Sequence, residues 1–348
     1  MAPAGAVHAP GGPLMSNPKP FSISAMQSDL LRRSRPRAWE FVVWAAALAA
    51  PAVLPSHALM INEIAIVALF AMSLDLILGY TGIVSLGHAA FFGFGAYSAA
   101  LFAKLVMPDP TLGLLVATVL CTALGALCSV TILRGTDLTR LMVTLGTALI
   151  LLELANKLDW LTGGADGLQG VIMGPVLGYF EFDLTGQVAA WYSLGVALGL
   201  FVLMRRLVHS PLGATLMAIR DNRLRAMAIG IPVVQRLVLI YAVAAGVAGA
   251  AGALLAQTTG FASLDVLAFD RSADVLLMLV IGGVGWLYGG IVGAIVFKLL
   301  QDSLSAITPQ YWMFWIGLLL VLLVLVGRER LLRPWTWFGR SHPPGGPQ

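Results

Sequence analysis

Residues 76–103 read LILGYTGIVSLGHAAFFGFGAYSAALFA and contain no Asp, Glu, Lys or Arg. A helix needs roughly 20 mostly apolar residues to cross a bilayer, so this stretch is long enough to do so. Glycine interrupts it repeatedly, and breaks inside apolar segments are tolerated only beside protein or water. We therefore interpret the stretch as the end of one helix, a break, and a second span. The interrupting glycines are Gly79, Gly82, Gly87, Gly93 and Gly95.

Similar charge-free stretches recur along the chain. Of its 348 residues, 59% are hydrophobic and 11% are charged, whereas soluble domains carry about a quarter charged residues. No segment alternates apolar and polar residues as a membrane β-strand does. The sequence predicts an all-α polytopic membrane protein with about 8–10 transmembrane helices and argues against a soluble enzyme, a disordered chain and a nucleic-acid-binding module. The other long stretches are 41–60, 111–133, 188–204, 237–264, 275–297 and 303–327.

The distribution of Lys and Arg predicts the orientation, because short cytoplasmic loops are enriched in both. Basic residues gather in the N-terminal tail, in the loop 206–236 and in the C-terminal tail, whereas the loop 156–188 is acidic. We therefore expect both termini and the loop 206–236 in the cytoplasm, and the loop 156–188 outside. The domain organisation follows as a disordered cytoplasmic tail 1–37, a transmembrane domain 38–327 and a cytoplasmic tail 328–348.

When membrane crossings are counted from this orientation, a full crossing by residues 275–297 conflicts with the predicted position of the C-terminus. If they crossed fully, the next span would end outside and place four arginines there, against the charge rule. A helical hairpin or re-entrant segment, broken at Gly282–Gly283 or at Gly289–Gly290, removes the conflict. The alternative is a full crossing with the C-terminus outside.

Motifs for chemistry are absent from the sequence. It contains no GxxxxGK[ST] phosphate loop, no HExxH, no GxSxG and no Cys/His cluster with metal-ligand spacing. Cys121 and Cys128 lie in one apolar run and match no zinc site. We expect no catalytic residue, no metal and no cofactor in this chain, so uphill movement of a solute would need an ion gradient or a partner.

The loop 206–236 contains the pattern of a short helix over residues 217–229, which Gly230 ends and Pro232 cannot continue. An isolated helix of this length is marginal in water, so it must lie against another surface. Asp221 and Asn222 interrupt its basic face, which favours a protein groove. The alternative is an interfacial helix on anionic lipid.

Four segments together resemble the permeases of branched-chain amino-acid (Liv-type) ABC importers, in particular the LivM-like member of each pair. Residues 219–231, IRDNRLRAMAIGI, resemble the coupling loop of these permeases, with Asp221 for the usual Glu and Met227 where an acidic residue is typical. Residues 78–100 are very similar to the most recognisable run of the family. Residues 162–168, TGGADGL, resemble an external loop, and 279–294, LVIGGVGWLYGGIVGA, resemble the glycine-rich block GGLGSLWGPVLGA.

The resemblance implies a type II-like ABC importer permease that is not an enzyme. Such a subunit translocates branched-chain amino acids of the Leu/Ile/Val type across the bacterial inner membrane by ATP-driven alternating access. The implied partners are a second, LivH-like permease, two ATPase subunits that hold ATP and Mg, a periplasmic solute-binding protein and membrane lipid, with no nucleic acid. The residues expected to couple to the ATPase are Arg220, Asp221, Asn222, Arg223 and Gly230.

Other functions remain open at this point. The urea and short-amide permeases of the same family share the same blocks. A stand-alone channel or proton-coupled carrier would need a chain of intramembrane ionisable residues, for which Glu63, Asp75 and His88 are available. An intramembrane enzyme has no visible nucleophile or metal constellation.

A zwitterion with an aliphatic tail needs partial charges at its two ends and apolar walls between them. Broken helices supply both signs of partial charge, since a half-helix N-terminus is positive and freed carbonyls are negative. The alternatives are close packing for the glycines and, for His88, a bond to a carbonyl freed at Gly87. The candidates for the translocation path are Asp75, Ser85, His88, Tyr97, Gly282, Gly283 and Gly285, while Gly246, Gly249 and Gly252 are expected to serve packing only.

Overall fold

The computed structural model describes residues 38–133, 135–183, 185–311, 313–318 and 321. The predicted tails 1–37 and 328–348 lie outside these residues. Within them the regular elements are helical, and β pairing is limited to two isolated bridges, Leu168–Ala262 and Val176–Phe180. The predicted all-α class is therefore confirmed.

Twelve α-helices of the described segments are used below. They are α1 (Ala38–Val53), α2 (Ala58–Thr81), α3 (Ala89–Leu105), α4 (Pro110–Ile132), α5 (Asp137–Lys157), α6 (Asp159–Thr162), α7 (Gln187–Val208), α8 (Pro211–Asp221), α9 (Arg223–Ala228), α10 (Val233–Thr259), α11 (Phe269–Gly282) and α12 (Leu287–Ile307). Short 3₁₀ turns occupy Pro55–His57, Gly164–Asp166 and Leu264–Leu267.

Six of these helices are long and apolar enough to cross a membrane, namely α2 with its preceding 3₁₀ turn, α4, α5, α7, α10 and α12. The helix α3 and most of α1 are apolar but shorter. The helix α3 has 17 residues and follows the non-helical residues 82–88. The chain is thus a multi-pass membrane protein.

The helices α2 and α10 form the centre of the fold, and both are largely buried. The helix α10 packs on α2, α3 and α4, and small residues let these backbones approach closely. A Cβ added at Gly249 would overlap the side chain of Cys121 in α4, and one at Gly252 would overlap the backbone of Phe92 in α3. The packing role predicted for these two glycines is therefore seen in the structure.

Buried polar side chains also tie α10 to its neighbours. Ser193 Oγ of α7 donates to Asn62 Oδ1 of α2 at 2.6 Å, and Asn62 Nδ2 donates to Thr258 Oγ1 of α10 at 3.1 Å. Gln257 Nε2 of α10 donates to the carbonyl of Pro110, at the start of α4, at 2.7 Å, and the hydroxyl of Tyr192 in α7 donates to Gln257 Oε1 at 3.0 Å. Such bonds hold helices together in lipid, where the apolar side chains have no preference for each other over lipid tails.

Two predicted spans begin or end elsewhere. The helix α1 ends at Val53 before the 3₁₀ turn Pro55–His57, so the boundary near residue 60 was wrong. Residues 303–307 belong to α12, which ends at Ile307, and helix resumes over 313–318. The reason is Pro309, because a proline disfavours helical geometry at the residue before it.

Candidate functional site

Two helix breaks meet beside the end of α2. The first is the non-helical linker 82–88 between α2 and α3, and Gly82 opens it in the left-handed region at φ 72°. The second is the link 283–286 between α11 and α12, where Gly283 and Gly285 have φ of 108° and 82°. The break predicted at Gly282–Gly283 is present, whereas Gly289–Gly290, the alternative position, lies inside α12.

Glycine makes α11 and α12 a tight helical hairpin. A Cβ at Gly282 would overlap the backbone of Gly289 and Gly293, and one at Gly293 would overlap the backbone of Met278. Earlier residues of α11 therefore pack on later residues of α12, which is the antiparallel order of a hairpin. The hairpin covers residues 269–307 rather than the predicted 275–297.

Asp75 connects α2 to the second break. Its Oδ1 accepts a hydrogen bond from the backbone N–H of Gly285 at 2.7 Å, while Oδ2 is buried and has no hydrogen-bond partner among the described residues. Gly79, one of the glycines expected to interrupt this stretch, does not break α2, which continues to Thr81. The partner of Asp75 is the α11–α12 link, 210 residues later in the sequence.

Arg220 of α8 reaches the same place from the loop 206–236. Its Nη1 donates to the carbonyl of Gly79, which lies in the last turn of α2, where carbonyls lack helical partners. A Cβ at Gly79 would meet both Asp75 Oδ1 and the backbone of Gly285, and one at Gly285 would lie 3.2 Å from Arg220 Nη1. The structure thus brings Asp75, Gly79, Arg220 and Gly285 into one cluster, which we call the α2-end cluster.

His88 lies in the α2–α3 linker, fully buried, and stacks on Phe70 with ring centroids 5.5 Å apart. Its Nε2 is 2.8 Å from Ser73 Oγ, and Ser73 Oγ donates its proton to the carbonyl of Phe70 at 2.6 Å. Since a serine hydroxyl has one proton, we assign the proton of the imidazole to Nε2, which donates to Ser73. The remaining nitrogen, Nδ1, is then an acceptor, and it has no partner among the described residues.

The predicted bond of His88 to a carbonyl freed at Gly87 is not formed, because Ser73 takes that place. Gly87 instead packs against the backbone of Thr144 in α5, so closely that a Cβ there would overlap the carbonyl. Sequence reasoning missed Ser73. The available signal was a second polar residue two positions before Asp75 in an otherwise apolar helix.

The other two polar candidates are set apart from the α2-end cluster in sequence. Ser85 lies buried in the α2–α3 linker, and its hydroxyl has no hydrogen-bond partner among the described residues. Tyr97 lies nine residues beyond His88, in α3, and its hydroxyl is buried with no hydrogen-bond partner in the described part of the chain.

The loop 206–236 forms two short helices rather than the single helix predicted over 217–229. Asn222 separates α8 from α9 with an extended backbone (φ −158°, ψ 104°), and its Oδ1 accepts from the N–H of Arg225 at 2.9 Å. Asparagine is a strong N-cap, so its side chain favours a new helix start over continuation of the old one. The one-helix prediction was therefore wrong in its middle.

The paired helices α8 and α9 present apolar side chains to the outside of the chain. Asp221 and Asn222 are also exposed, and Gly230 follows α9 at φ 85°. The exposed apolar residues are Met217, Leu224, Met227 and Ile229.

The loop 156–188 contains tight glycine turns near the start of α4. Gly163, Gly164 and Gly167 have positive φ, and Leu168 pairs with Ala262, which follows α10. Asp109 begins α4 by accepting from the N–H of Thr111 at 2.8 Å. The hydrogen bond from the Thr111 hydroxyl holds the pKa of this carboxyl below its usual value.

Comparison with known proteins gives a consistent picture. The model of a family described as branched-chain amino acid transport system, permease component, matches residues 58–324. The high-affinity branched-chain amino acid transport system permease protein LivM of Escherichia coli K12 is 28% identical over 291 residues, which are 77% of this chain and 68% of that protein. Its counterpart in Salmonella typhimurium LT2 is 26% identical over 291 residues, with the same shares. No solved structure matches.

A more distant relative comes from an archaeon. The probable branched-chain amino acid transport permease protein LivM of Methanocaldococcus jannaschii is 24% identical over 268 residues, 67% of this chain and 77% of that protein. The matched region of the family begins with α2 and includes both helix breaks and the loop 206–236.

Proposed function

This chain belongs to the family of permease components of branched-chain amino acid transport systems, and on that premise we propose that it is one membrane subunit of an ABC importer for branched-chain amino acids. It is a transport protein and not an enzyme. In the proposal, two ATPase subunits supply the energy, a LivH-like permease completes the path, and a periplasmic binding protein delivers the solute.

The observation that carries the proposal is the contact of Arg220 with Gly79 inside the α2-end cluster. Arg220 belongs to the loop that we assign to the ATPase, and Gly79 lies against Gly285 in the break between α11 and α12. A displacement of α8 would therefore pull on the end of α2 and on the α11–α12 link together. A single residue connects the docking loop to both helix breaks.

The exposed apolar side chains of α8 and α9 support docking on a protein. Met217 and Leu224 expose apolar surface when the loop is free in water. Burying that surface against a partner would contribute about 25 cal/mol per Å² to binding. Shifting a two-state element from 1:99 to 99:1 takes about 5.5 kcal/mol of differential binding. In our proposal, ATP-driven closure of the partner subunits supplies this through α8 and α9.

Two buried acceptors suit the ammonium group of an amino acid. Asp75 Oδ2 and His88 Nδ1 are buried, can accept a hydrogen bond, and have no partner among the described residues. Phe70 and Phe91 lie beside the imidazole and offer apolar wall for an aliphatic side chain. We propose that the solute passes these groups as it crosses.

The proposed orientation follows from the arginines. The loop 206–236 and both termini lie in the cytoplasm, and the loop 156–188 with its exposed Trp160 and Tyr179 lies outside the bacterial inner membrane. The path would therefore run from the external loop toward the α2-end cluster.

The test is uptake by the reconstituted complex. Proteoliposomes holding this chain, its partner permease and the two ATPase subunits should accumulate radiolabelled leucine when binding protein is added outside and ATP inside. Vesicles without ATP, and vesicles without the ATPase subunits, are the controls and should not accumulate it. Accumulation of urea or a short amide instead of leucine would overturn the substrate assignment, and uptake by this chain alone would overturn the coupling.

A further inference from the structure

An ion pair joins two membrane-spanning helices on an exposed face. Lys298 Nζ of α12 donates to Glu63 Oε2 of α2 at 2.8 Å. Lys298 is the twelfth of the 21 residues of α12, and Glu63 is the sixth residue of α2. The Glu63 side chain is 54% exposed and that of Lys298 is 18% exposed. The sequence had placed Lys298 between two spans rather than inside one.

A second ion pair continues this face at the start of α11. Arg271 donates to Asp265 Oδ2 through Nη2 at 2.6 Å and through Nε at 3.1 Å, and the two side chains are 43% and 58% exposed. Asp274, three residues after Arg271, interacts electrostatically with both Arg271 and Lys298. We call Glu63, Lys298, Asp274, Arg271 and Asp265 the charged stripe.

Lipid tails cannot cover the charged stripe cheaply. A charged side chain at the centre of a membrane helix costs about 2.5–3.5 kcal/mol on insertion scales, and such residues almost always face protein or a water-filled cavity. The helix α5 shows the contrast, since its strongly exposed side chains in mid-helix include Met142, Leu149 and Ile150. The exposed side chains in the middle of α5 are apolar and suit lipid, whereas Lys298 places a charge among exposed apolar side chains of α12, such as Ile295 and Leu299.

Most of the charged stripe lies on α2, α11 and α12, and the α2-end cluster lies where α2 meets the link between α11 and α12. Asp75 of α2 contacts Gly285 in the link between α11 and α12, and Glu63 of α2 contacts Lys298 of α12. The helices therefore carry polar groups at two levels, 12 residues apart along α2. Between these two levels the side chains of α2 are mostly apolar and buried, so the polar groups form two separate sites along the helix.

Resting on the function proposed above, we propose that the charged stripe is the water-facing outer wall of the translocation path and that a zwitterionic solute passes it before reaching Asp75. Its two ion pairs offer both signs of charge side by side. The ammonium of the solute can face Glu63, Asp274 or Asp265, and its carboxylate can face Lys298 or Arg271. An amino acid keeps charged neighbours for both of its ends while its aliphatic part moves along apolar side chains.

Water access to single cysteines tests the stripe. In a background with Cys121 and Cys128 replaced by serine, Glu63→Cys and Asp274→Cys are compared with Ile150→Cys, the matched control on the exposed face of α5. The full complex in right-side-out vesicles is treated with a membrane-impermeant trimethylammonium thiosulfonate. We expect both stripe cysteines to react at least tenfold faster than Ile150→Cys. Rates equal to that of the control would overturn the proposal.

Leucine uptake by the same vesicles separates this proposal from the function on which it rests. If vesicles of the serine background take up leucine with ATP while the stripe cysteines stay unreactive, only the stripe proposal fails. If vesicles of the unsubstituted chain with its partners take up no leucine, the proposed function fails.

A variant without the Glu63–Lys298 ion pair tests the charged stripe independently of cysteine labelling. The double substitution Glu63→Leu with Lys298→Leu removes the ion pair and leaves an apolar surface that suits lipid or an apolar partner helix. We expect the assembled complex to lose at least fivefold in leucine uptake, with its yield after membrane extraction retained. Unchanged uptake would show that this face lies away from the path.

Discussion

Arg220 of α8 donates a hydrogen bond to the backbone carbonyl of Gly79 in α2, across 141 residues of sequence. The bond joins a loop assigned to the cytoplasm with the end of a helix that is buried along most of its length. Gly285 lies against both partners. Arg220 therefore gives the loop a direct connection to the two helix breaks, and each element of that connection can be tested.

Substitution of Arg220 should uncouple transport from docking. Arg220→Ala leaves the Gly79 carbonyl without its charged donor, and a lost hydrogen bond of this kind is worth about 1.5–3 kcal/mol. We expect at least a tenfold loss of leucine uptake while the ATPase subunits still co-purify. Lys157→Ala, at the exposed end of α5 and outside the loop 206–236, is the control and should keep uptake within about twofold. Loss of co-purification in Arg220→Ala would mean that Arg220 acts in docking itself.

The cap at Asn222 should determine how well the loop binds the ATPase. Asn222→Ala removes the acceptor for the N–H of Arg225, which costs a helix about 1 kcal/mol. We expect roughly fivefold weaker association with the ATPase, measured by titration of the detergent-solubilised chain, with membrane insertion unchanged. Asn222→Asp keeps a capping oxygen and should restore most of the affinity. Equal affinities of the Ala and Asp variants would contradict the role of the cap.

Helix positions could be predicted from the sequence to the extent that the membrane determines them. The charge-free stretch 111–133 corresponds to α4, and the stretch 237–264 contains most of α10. In lipid an apolar segment of this length must satisfy its own backbone hydrogen bonds, which a helix does. The break at Gly282–Gly283 was also predictable from its glycines. Lys298 was taken as the end of a span, yet α12 continues through it because Glu63 pairs with its charge.

The contacts of the candidate site could not be predicted in the same way. The Asp75–Gly285 bond joins positions 210 residues apart, and no local pattern encodes which break lies beside which helix. The split at Asn222 follows from a side chain that competes with helical continuation, which hydrophobic periodicity does not register. Composition and pattern therefore gave the helices and the candidate residues, while the pairing of these residues required the tertiary structure.

The glycines of the α2-end cluster should tolerate no side chain. Gly285→Ala would introduce a Cβ at φ 82°, which costs about 1–2 kcal/mol, and would press on Arg220. Gly79→Ala would overlap Asp75 and the backbone of Gly285. We expect both variants to lower the thermal unfolding midpoint of the purified complex by several degrees and to reduce uptake.

Gly146→Ala provides the matched control. Gly146 lies in the helix α5, and a Cβ there would meet nothing within 4 Å. Alanine has a higher helix propensity than glycine by about 1 kcal/mol, so this variant should be as stable as the unchanged protein or more stable. A loss of stability in Gly146→Ala equal to that in Gly79→Ala would show that crowding at the α2-end cluster is not the cause.

Two substitutions of Asp75 should distinguish a structural role of this residue from a role in the translocation path. Asp75→Asn keeps a side-chain oxygen that can accept from Gly285, but it replaces the unpaired Oδ2 by an N–H₂ donor. An ammonium group would then meet a donor instead of an acceptor. We expect the fold and the ATPase association to be retained while the concentration of leucine needed for half-maximal uptake rises at least tenfold.

Asp75→Ala makes the comparison complete. It leaves the Gly285 N–H without its acceptor, and an unsatisfied buried donor costs about 1–3 kcal/mol, so this variant should lose stability as well as uptake. The thermal unfolding midpoint and leucine uptake are measured for both variants. The midpoint should fall only in Asp75→Ala, whereas uptake should fall in both variants. If the Asn variant transports leucine with unchanged half-maximal concentration, Asp75 acts only by holding the α11–α12 link against α2, and the ammonium must be met elsewhere.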